Sequence, residues 1–234
     1  MKIALVTGAT SGIGYEITKK LLNMNFKVYG LGRNFDKIKI DDVNFFKIKC
    51  DLSKLDSLEK TLHSLKKMNF NLIVHSAGLA YFSLHEEMNI SKIKNMVSVN
   101  LQAPLIITQY FLRTLKVNRG TIINISSVTA KKESPYAAAY SATKAGLSHF
   151  GRSLFEEVRK YGVKVITLHL DMTKTNFYKN SFFECHEDEN SYIKTSDVSK
   201  TLEFILNQDS NIVINELIIK PQRHIIKRKG NIRE

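Results

Sequence analysis

The residues KIALVTGATSGIG (2–14) run from an unbroken apolar stretch at 3–6, through a glycine-punctuated loop, into a segment of helical period. An apolar run without polar alternation suits a strand covered on both faces. After the loop, Ile13, Ile17, Leu21 and Met24 fall on one helical face. A strand that hands over to a helix through a short loop opens a βαβ unit rather than a hairpin. Glycines at 8, 12 and 14 allow a sharp turn and a close approach of backbone to a ligand. The unpaired N–H groups at the helix start then suit the pyrophosphate of a dinucleotide. No Lys-Ser/Thr pair follows, so this is not a Walker loop. Taken alone, the three glycines also fit a plain tight turn.

The same alternation continues along the chain. Strands are expected at 2–7, 27–32, 44–50, 71–76, 120–126, 163–170 and 211–219. Between them, Leu55, Leu58, Leu62 and Leu65 share a helical face, long helical segments cover about 91–115 and 136–161, and Ser196 reads as the N-cap of a helix carrying Val198, Leu202 and Ile205. Strand and helix in turn predict an α/β chain, a Rossmann-type doubly wound parallel sheet of about seven strands with helices on both faces. Ligands bind such sheets at the carboxyl ends of the strands. The 234 residues, 43% hydrophobic with 3 prolines, contain no linker-like stretch and no repeat, so 1–234 is read as a single domain.

Several classes drop out on composition. Nothing approaches the roughly 20 apolar residues of a membrane helix, and the apolar run at 3–6 is too short for a signal peptide. Cys50 and Cys185 form no ligand or redox pattern, which points to a reducing cytoplasm and no metal. The net charge of +13 comes mostly from dispersed lysines. One basic cluster stands out, the tail at 222–234, and without a nucleic-acid motif it reads as a solvated tail.

The end of the second expected strand distinguishes dinucleotides. NAD sites place a carboxylate there for the ribose 2′-hydroxyl; here Gly32 takes that place and Arg33 follows. A guanidinium with no competing carboxylate suits a 2′-phosphate, so NADP(H) is expected over NAD(H). The alternative is that Arg33 is an exposed turn residue.

Read together, TGATSGIG (7–14), CDLS (50–53), HSAG (75–78), VNLQAP (99–104), TIINISS (121–127) and YSATK (140–144) resemble, in order and spacing, the short-chain dehydrogenase/reductase family in its compact branch. The resemblance implies a catalytic tetrad of Asn100, Ser127, Tyr140 and Lys144, with Ser127 thirteen residues before Tyr140. It implies that Gly8, Thr10, Ser11, Gly12, Ile13 and Gly14 cradle the cofactor, that Asp51 and Leu52 bracket the adenine, and that Ala77 and Gly78 lie beneath it. Thr173 and Thr175 would reach the nicotinamide side, and Asn100 would hold a water that relays protons. Tyr140 and Lys144 sit one helical turn apart, and a cation beside a phenol favours the phenolate. Tyr140 would then exchange a proton with a substrate oxygen. The small side chains around it suit close approach of cofactor, strand or a partner subunit, and a homodimer or homotetramer is implied.

Three departures from the family pattern stand out. His75 and Ser76 replace the usual asparagines, Leu170-Asp171 replaces the usual Pro-Gly, and the basic tail extends past the last strand. Asp171 reads either as a recogniser of a polar substrate group or as a turn cap, and His75 as a structural hydrogen-bonding residue. Residues 171–196 are expected to form a substrate lid, in which Phe177, Tyr178, Phe182 and Phe183 face either a pocket or the core. The function expected is an NADP(H)-dependent interconversion of a carbonyl and an alcohol, the substrate being small and of hydroxy-acid or serine-like type. The other reading is a dinucleotide-binding sensor or scaffold without catalysis.

Overall fold

A computed structural model describes residues 1–229 of the chain; the last residues of the basic tail, 230–234, lie outside the described residues. In chain order the described strands are β1 (Ile3–Thr7), β2 (Lys27–Gly32), β3 (Phe45–Lys49), β4 (Leu72–His75), β5 (Thr121–Ser127), β6 (Lys164–Leu170), β7 (Phe183–Cys185), β8 (Glu216–Ile219) and β9 (Ile226–Arg228). The helices are α1 (Gly12–Asn23), α2 (Leu55–Ser64), α3 (Ile90–Val97), α4 (Ala103–Asn118), α5 (Ala138–Val158) and α6 (Thr195–Leu206).

Seven strands form one sheet in the order β3-β2-β1-β4-β5-β6-β8, and every neighbouring pair is parallel. Side chains of a strand alternate between faces, and both faces are covered. Ala4, Val6, Leu72, Val74 and Leu168 pack with Ile17 and Leu21 of α1 and Val198 and Leu202 of α6. Leu5, Ile73, Ile122 and Val165 pack with Leu58 of α2, Phe111 of α4 and Leu154 of α5. That two-sided burial is why the strands read as continuous apolar runs. The chain moves outward from β1 to β3 and returns on the other side of β1, so the carboxyl ends of β1 and β4 flank a crevice.

Local differences from the sequence reading have physical causes. The long helix expected at 91–115 is α3 and α4 joined by a π turn, Ser98–Gln102. Pro104 has no N–H to give the carbonyl of Asn100 four residues earlier, and the widened turn absorbs that loss. α6 starts at Thr195, and the capping role expected of Ser196 falls to Lys194, whose N–H is bound by the Asp197 carboxylate at 3.0 Å. The last strand of the sheet is shorter than expected because pairing with β6 begins only at Glu216.

The basic tail is not solvated coil over its described length. β9 pairs antiparallel with β7, setting Lys227 opposite Glu184 and Ile226 opposite Cys185. Lys227 Nζ lies 2.8 Å from Glu187 and 3.8 Å from Glu184, Lys229 lies 3.4 Å from Glu184, and Arg223 lies 3.3 Å from Asp188. The backbone N–H groups of Lys229 and Arg223 donate to Phe182 O and Asn190 O at 2.7 and 2.8 Å. The acidic run of the segment after β6 is thus the partner of the basic tail. Exposed pairs of this kind are individually weak and are screened by salt, so strand pairing and charge act together. A chain ending at residue 221 should keep the cooperative unfolding of the main sheet but be cleaved faster within 177–194 in limited proteolysis mapped by mass spectrometry. Added salt should speed the same cleavage in the full chain. Cleavage equal in both chains would mean that the tail does not hold the segment.

Candidate active site

The crevice begins with the loop after β1. Gly8 and Gly12 have φ of +69° and +54°, a region that side chains resist. A Cβ on Gly8 would sit 2.9 Å from Ala77 Cα, and one on Gly14 would run into the carbonyl oxygen of Gly8. Thr7 Oγ1 accepts the N–H groups of Ser76 and Ala77 at 3.1 and 3.0 Å, tying this loop to the one after β4. Ser11 caps α1 with extended backbone, its hydroxyl makes no capping bond, and the first turn holds no acid. Unused donors at a helix start, bare of side chains, form an anion cradle. Gly8, Thr10, Ser11, Gly12, Ile13 and Gly14 all line a cleft of about 560 Å³, which Ala77 and Gly78 floor on the other side.

At one end of the cleft are Arg33, Asp51 and Leu52. A Cβ on Gly32 would crowd Thr10 Cγ2, so a carboxylate there would require Thr10 to move. Arg33 is exposed. Asp51 accepts from the Ser53 hydroxyl at 2.7 Å, and this bond, with Lys54 and Arg33 nearby, holds its carboxyl below the usual range. These residues fit a dinucleotide: an anion cradle, a cation beyond β2, and glycines where bulk would block it.

At the other end, Ser127 closes β5, while Tyr140 and Lys144 project from α5 and Asn100 from the π turn. Lys144 Nζ donates to Ile125 O at 2.8 Å and lies 5.8 Å from the Tyr140 ring centre. A Cβ on Gly78 would be 3.6 Å from Lys144 Nζ and 3.8 Å from Asn100 Oδ1, so both atoms overlook one bare spot. Ser127 Oγ accepts from Thr129 N at 3.2 Å and Thr129 Oγ1 at 3.1 Å, which leaves its own proton to donate. The Asn100 side chain is fully engaged: its Oδ1 accepts from Leu79 N at 2.8 Å, and its Nδ2 donates to Leu79 O at 2.7 Å and Thr143 Oγ1 at 3.1 Å. It anchors the Leu79 backbone. His75 is wholly internal, 2.9 Å from Thr108 Oγ1 through Nε2, and burial pushes it down to about 3, so it is a neutral structural group.

Burial opposes the effect expected of the Tyr-Lys pair in the cofactor-free chain. Burial pushes the Tyr140 phenol up to about 12, with the Ser127 hydroxyl pulling the other way, and pushes Lys144 down to about 8. Tyr140 is 8% exposed and Lys144 4%. Removing either group from water penalises its charged form, and here that outweighs the attraction that sequence spacing alone suggests.

Above Tyr140 lies an aromatic group drawn from two distant segments. Phe82 lies 5.9 Å from Tyr140 and 4.8 Å from Phe183, Phe177 lies 6.0 Å from Tyr140, and Tyr178 packs on both Phe177 and Phe183. Of the four aromatics singled out in this segment, Phe177 and Tyr178 line the cleft, Phe183 packs behind them on Phe82 and Tyr178, and Phe182 packs on Tyr136 and Phe183. Asn95 and Val99, one turn apart ahead of Asn100, also line the cleft. Val99 opens the VNLQAP motif, whereas Asn95 belongs to no motif, and its helical offset from Val99 is the signal that could have found it. Thr175 Oγ1 accepts from Phe177 N at 3.1 Å, while Thr173 Oγ1 donates to Asp171 O at 2.9 Å. Both threonines line the cleft, but their hydroxyls serve the local turns. No group of three or more potential metal-ligating side chains occurs among the described residues.

Comparison with known proteins places this geometry. Residues 2–185 match the short chain dehydrogenase family. An uncharacterised oxidoreductase of Staphylococcus epidermidis is 28% identical over 227 residues, covering 94% of this chain and 97% of its own. Serine 3-dehydrogenase of Agrobacterium fabrum is 28% identical over 230 residues, covering 93% and 92%. Among solved structures, an alcohol dehydrogenase from the archaeon Thermococcus sibiricus, complexed with 5-hydroxy-NADP, superposes with a TM-score of 0.85 at 24% identity, covering 94% of this chain and 97% of that one. A 4-hydroxyisoleucine dehydrogenase complexed with NADH also gives 0.85, at 22% identity and coverages of 94% and 98%. The glycine loop, the parallel sheet around it and the match over most of the length make this chain a member of the short-chain dehydrogenase/reductase family of oxidoreductases.

Proposed function

We propose that the protein interconverts a carbonyl and an alcohol with NADP(H), Tyr140 carrying the proton, on a small serine-like or hydroxy-acid substrate. The observation that carries this reading is the convergence of Ser127, Tyr140 and Lys144 at one end of a cleft whose other end suits a dinucleotide. The nicotinamide, when bound, supplies the hydride-exchanging carbon and, in its oxidised form, a positive charge that favours the phenolate. Tyr140 gives a proton to the carbonyl oxygen in reduction and takes it from the hydroxyl in oxidation. Ser127 donates a hydrogen bond to that oxygen and so fixes where it sits. Lys144 spends one of its three donors on Ile125 O, and the others serve the ribose and the phenol. Asn100 acts by holding the Leu79 backbone. Tyr140, raised to about 12, keeps its proton at neutral pH, so oxidation depends on positive charge arriving with the cofactor.

Preference for NADP(H) rests on the exposed Arg33 beside the bare Gly32. The substrate class is supported by the two relatives named serine 3-dehydrogenase, 28% and 27% identical. We further propose action in a reducing cytoplasm, in keeping with two free cysteines; no described helix is long and apolar enough to cross a membrane. Self-association would cover Phe204 of α6 and Ile218 of the edge strand β8, exposed by 55% and 54%.

Three measurements test the reading. Tyr140→Phe should bind NADPH nearly as the parent does in a fluorescence titration while turnover falls by ~10²-fold or more; retained turnover would remove Tyr140 from the reaction. Arg33→Asp should move the ratio of kcat/KM for NADPH over NADH toward NADH by about tenfold or more, the worth of a charge-assisted hydrogen bond. An unmoved ratio would assign the phosphate to another residue. The third concerns the cofactor-free protein. Lys144 titrates near 8 when folded against an ordinary 10.5, so between these values the unfolded chain holds a proton that the folded chain has lost. Stability then rises with pH. Tyr140, raised from 10.0 to about 12, opposes this only above pH 10. Urea titrations between pH 8 and 10 should show the parent gaining on Lys144→Met by on the order of 1 kcal/mol per pH unit. Parallel curves would mean that Lys144 keeps its proton in the fold.

A further inference from the structure

The reacting end of the cleft carries a carboxylate, Asp171, as well as the Lys144 ammonium. Among the described residues lining the cleft, the charged side chains are Arg33, Asp51, Lys144 and Asp171. Arg33 and Asp51 follow β2 and β3, beyond the glycine loop, and Lys144 Nζ is engaged with Ile125 O. Asp171 stands one residue past Leu170, which lies in register beside Ser127. Its side chain is 9% exposed, and its Oδ2 lies 3.9 Å from Nδ1 of His224, whose side chain is 58% exposed. Oδ1 accepts the adjacent Met172 N–H at 2.9 Å, whereas Oδ2 accepts no hydrogen bond from the described residues. A carboxylate withdrawn from water with a free oxygen costs free energy until a donor or cation meets it.

The surrounding walls favour the same kind of visitor. Phe177 and Tyr178 line the cleft, Phe177 lying 6.0 Å from Tyr140, and aromatic faces attract cations. The Tyr178 phenol is raised by burial and by the negative forms of Tyr140, Cys185 and Asp171, so the Asp171 charge is felt inside this enclosure. A substrate carboxylate placed against Asp171 would meet like charge.

We propose that Asp171 binds a protonated amine beside the reacting carbon of the substrate, so that the enzyme acts on amino alcohols and the matching amino ketones. This rests on the oxidoreductase reading above. The amine is not consumed: in oxidation the carbinol C–H bond breaks and its hydride passes to the oxidised dinucleotide, the hydroxyl proton goes to Tyr140, and the C=O bond forms.

Matched compounds test it, with the full chain and NADP⁺: 1-amino-2-propanol, 1,2-propanediol and lactate. The parent should favour the amino alcohol over the diol in kcat/KM by about tenfold or more, as a charged hydrogen bond would. Asp171→Asn should bring that ratio near one, chiefly through KM, and Asp171→Glu should recover part of it. Binding is read separately from turnover, as the rise in Tm of the NADP⁺ complex on adding 1-amino-2-propanol. A rise that Asp171→Asn abolishes, even with no turnover of any compound, supports the amine site while sinking the oxidoreductase reading. A better rate with diol or lactate, or a ratio and Tm rise unchanged in Asp171→Asn, overturns the proposal and leaves that reading standing.

Discussion

The loop after β1 and the loop after β4 meet with no room for side chains, and the cleft exists because they do. Gly8 lies against the Ala77 backbone and Gly14 against the Gly8 carbonyl, while Thr7 accepts two N–H groups from across the gap. This contact holds the start of α1 open toward the crevice. It also brings Gly78 under Lys144 and Asn100, so the anion cradle and the end that holds Ser127, Tyr140 and Lys144 share one floor. Bulk at either glycine would separate them, because backbone cannot yield as a flexible side chain can.

Within that cleft, burial and charge pull against each other. Tyr140 and Lys144 are both held away from water, and each is pushed toward its neutral form. A pair in this state is poised for whatever charge enters the cleft, because small electrostatic changes count for more where water does not screen them. Asp171, one residue past the Leu170 that pairs with Ser127, is a carboxylate of which one oxygen accepts no hydrogen bond from the described residues.

The segment over the site is held by its own charge pattern. Acidic residues at 184–189 and basic residues at 223–229 attract across β7 and β9, and the antiparallel pairing gives that attraction a fixed register. Arg223, Lys227 and Lys229 of the tail pair with acids of the same chain. This arrangement seats Phe183 beside Phe82 and Tyr178, so the tail contributes to the walls of the pocket without lining it.

Much of the architecture was legible in the sequence because it depends on local pattern. Seven apolar runs became the seven parallel strands, and α1, α2 and α6 bury the faces that their spacing marked. The glycine loop could be read because backbone conformation depends on the residue present, and the Tyr140–Lys144 spacing because a helical turn is a fixed length. Contacts between distant segments left no comparable trace. The three-residue strands β7 and β9 carry no period long enough to see, and their partner lies some forty residues away. Asn95 and Phe82 join the site only because the helix and loop that bear them fold over Tyr140. The π turn at Asn100 shows the boundary most clearly: Pro104 announces a lost hydrogen bond, but only the packed helix determines how the loss is absorbed. The sequence by itself determined the order of elements, the dinucleotide loop and the residue types available for proton transfer. Tertiary structure alone decided their protonation, the seating of the basic tail on the acidic segment, and the exposure of Asp171 to the pocket, since all three depend on which groups exclude water from which.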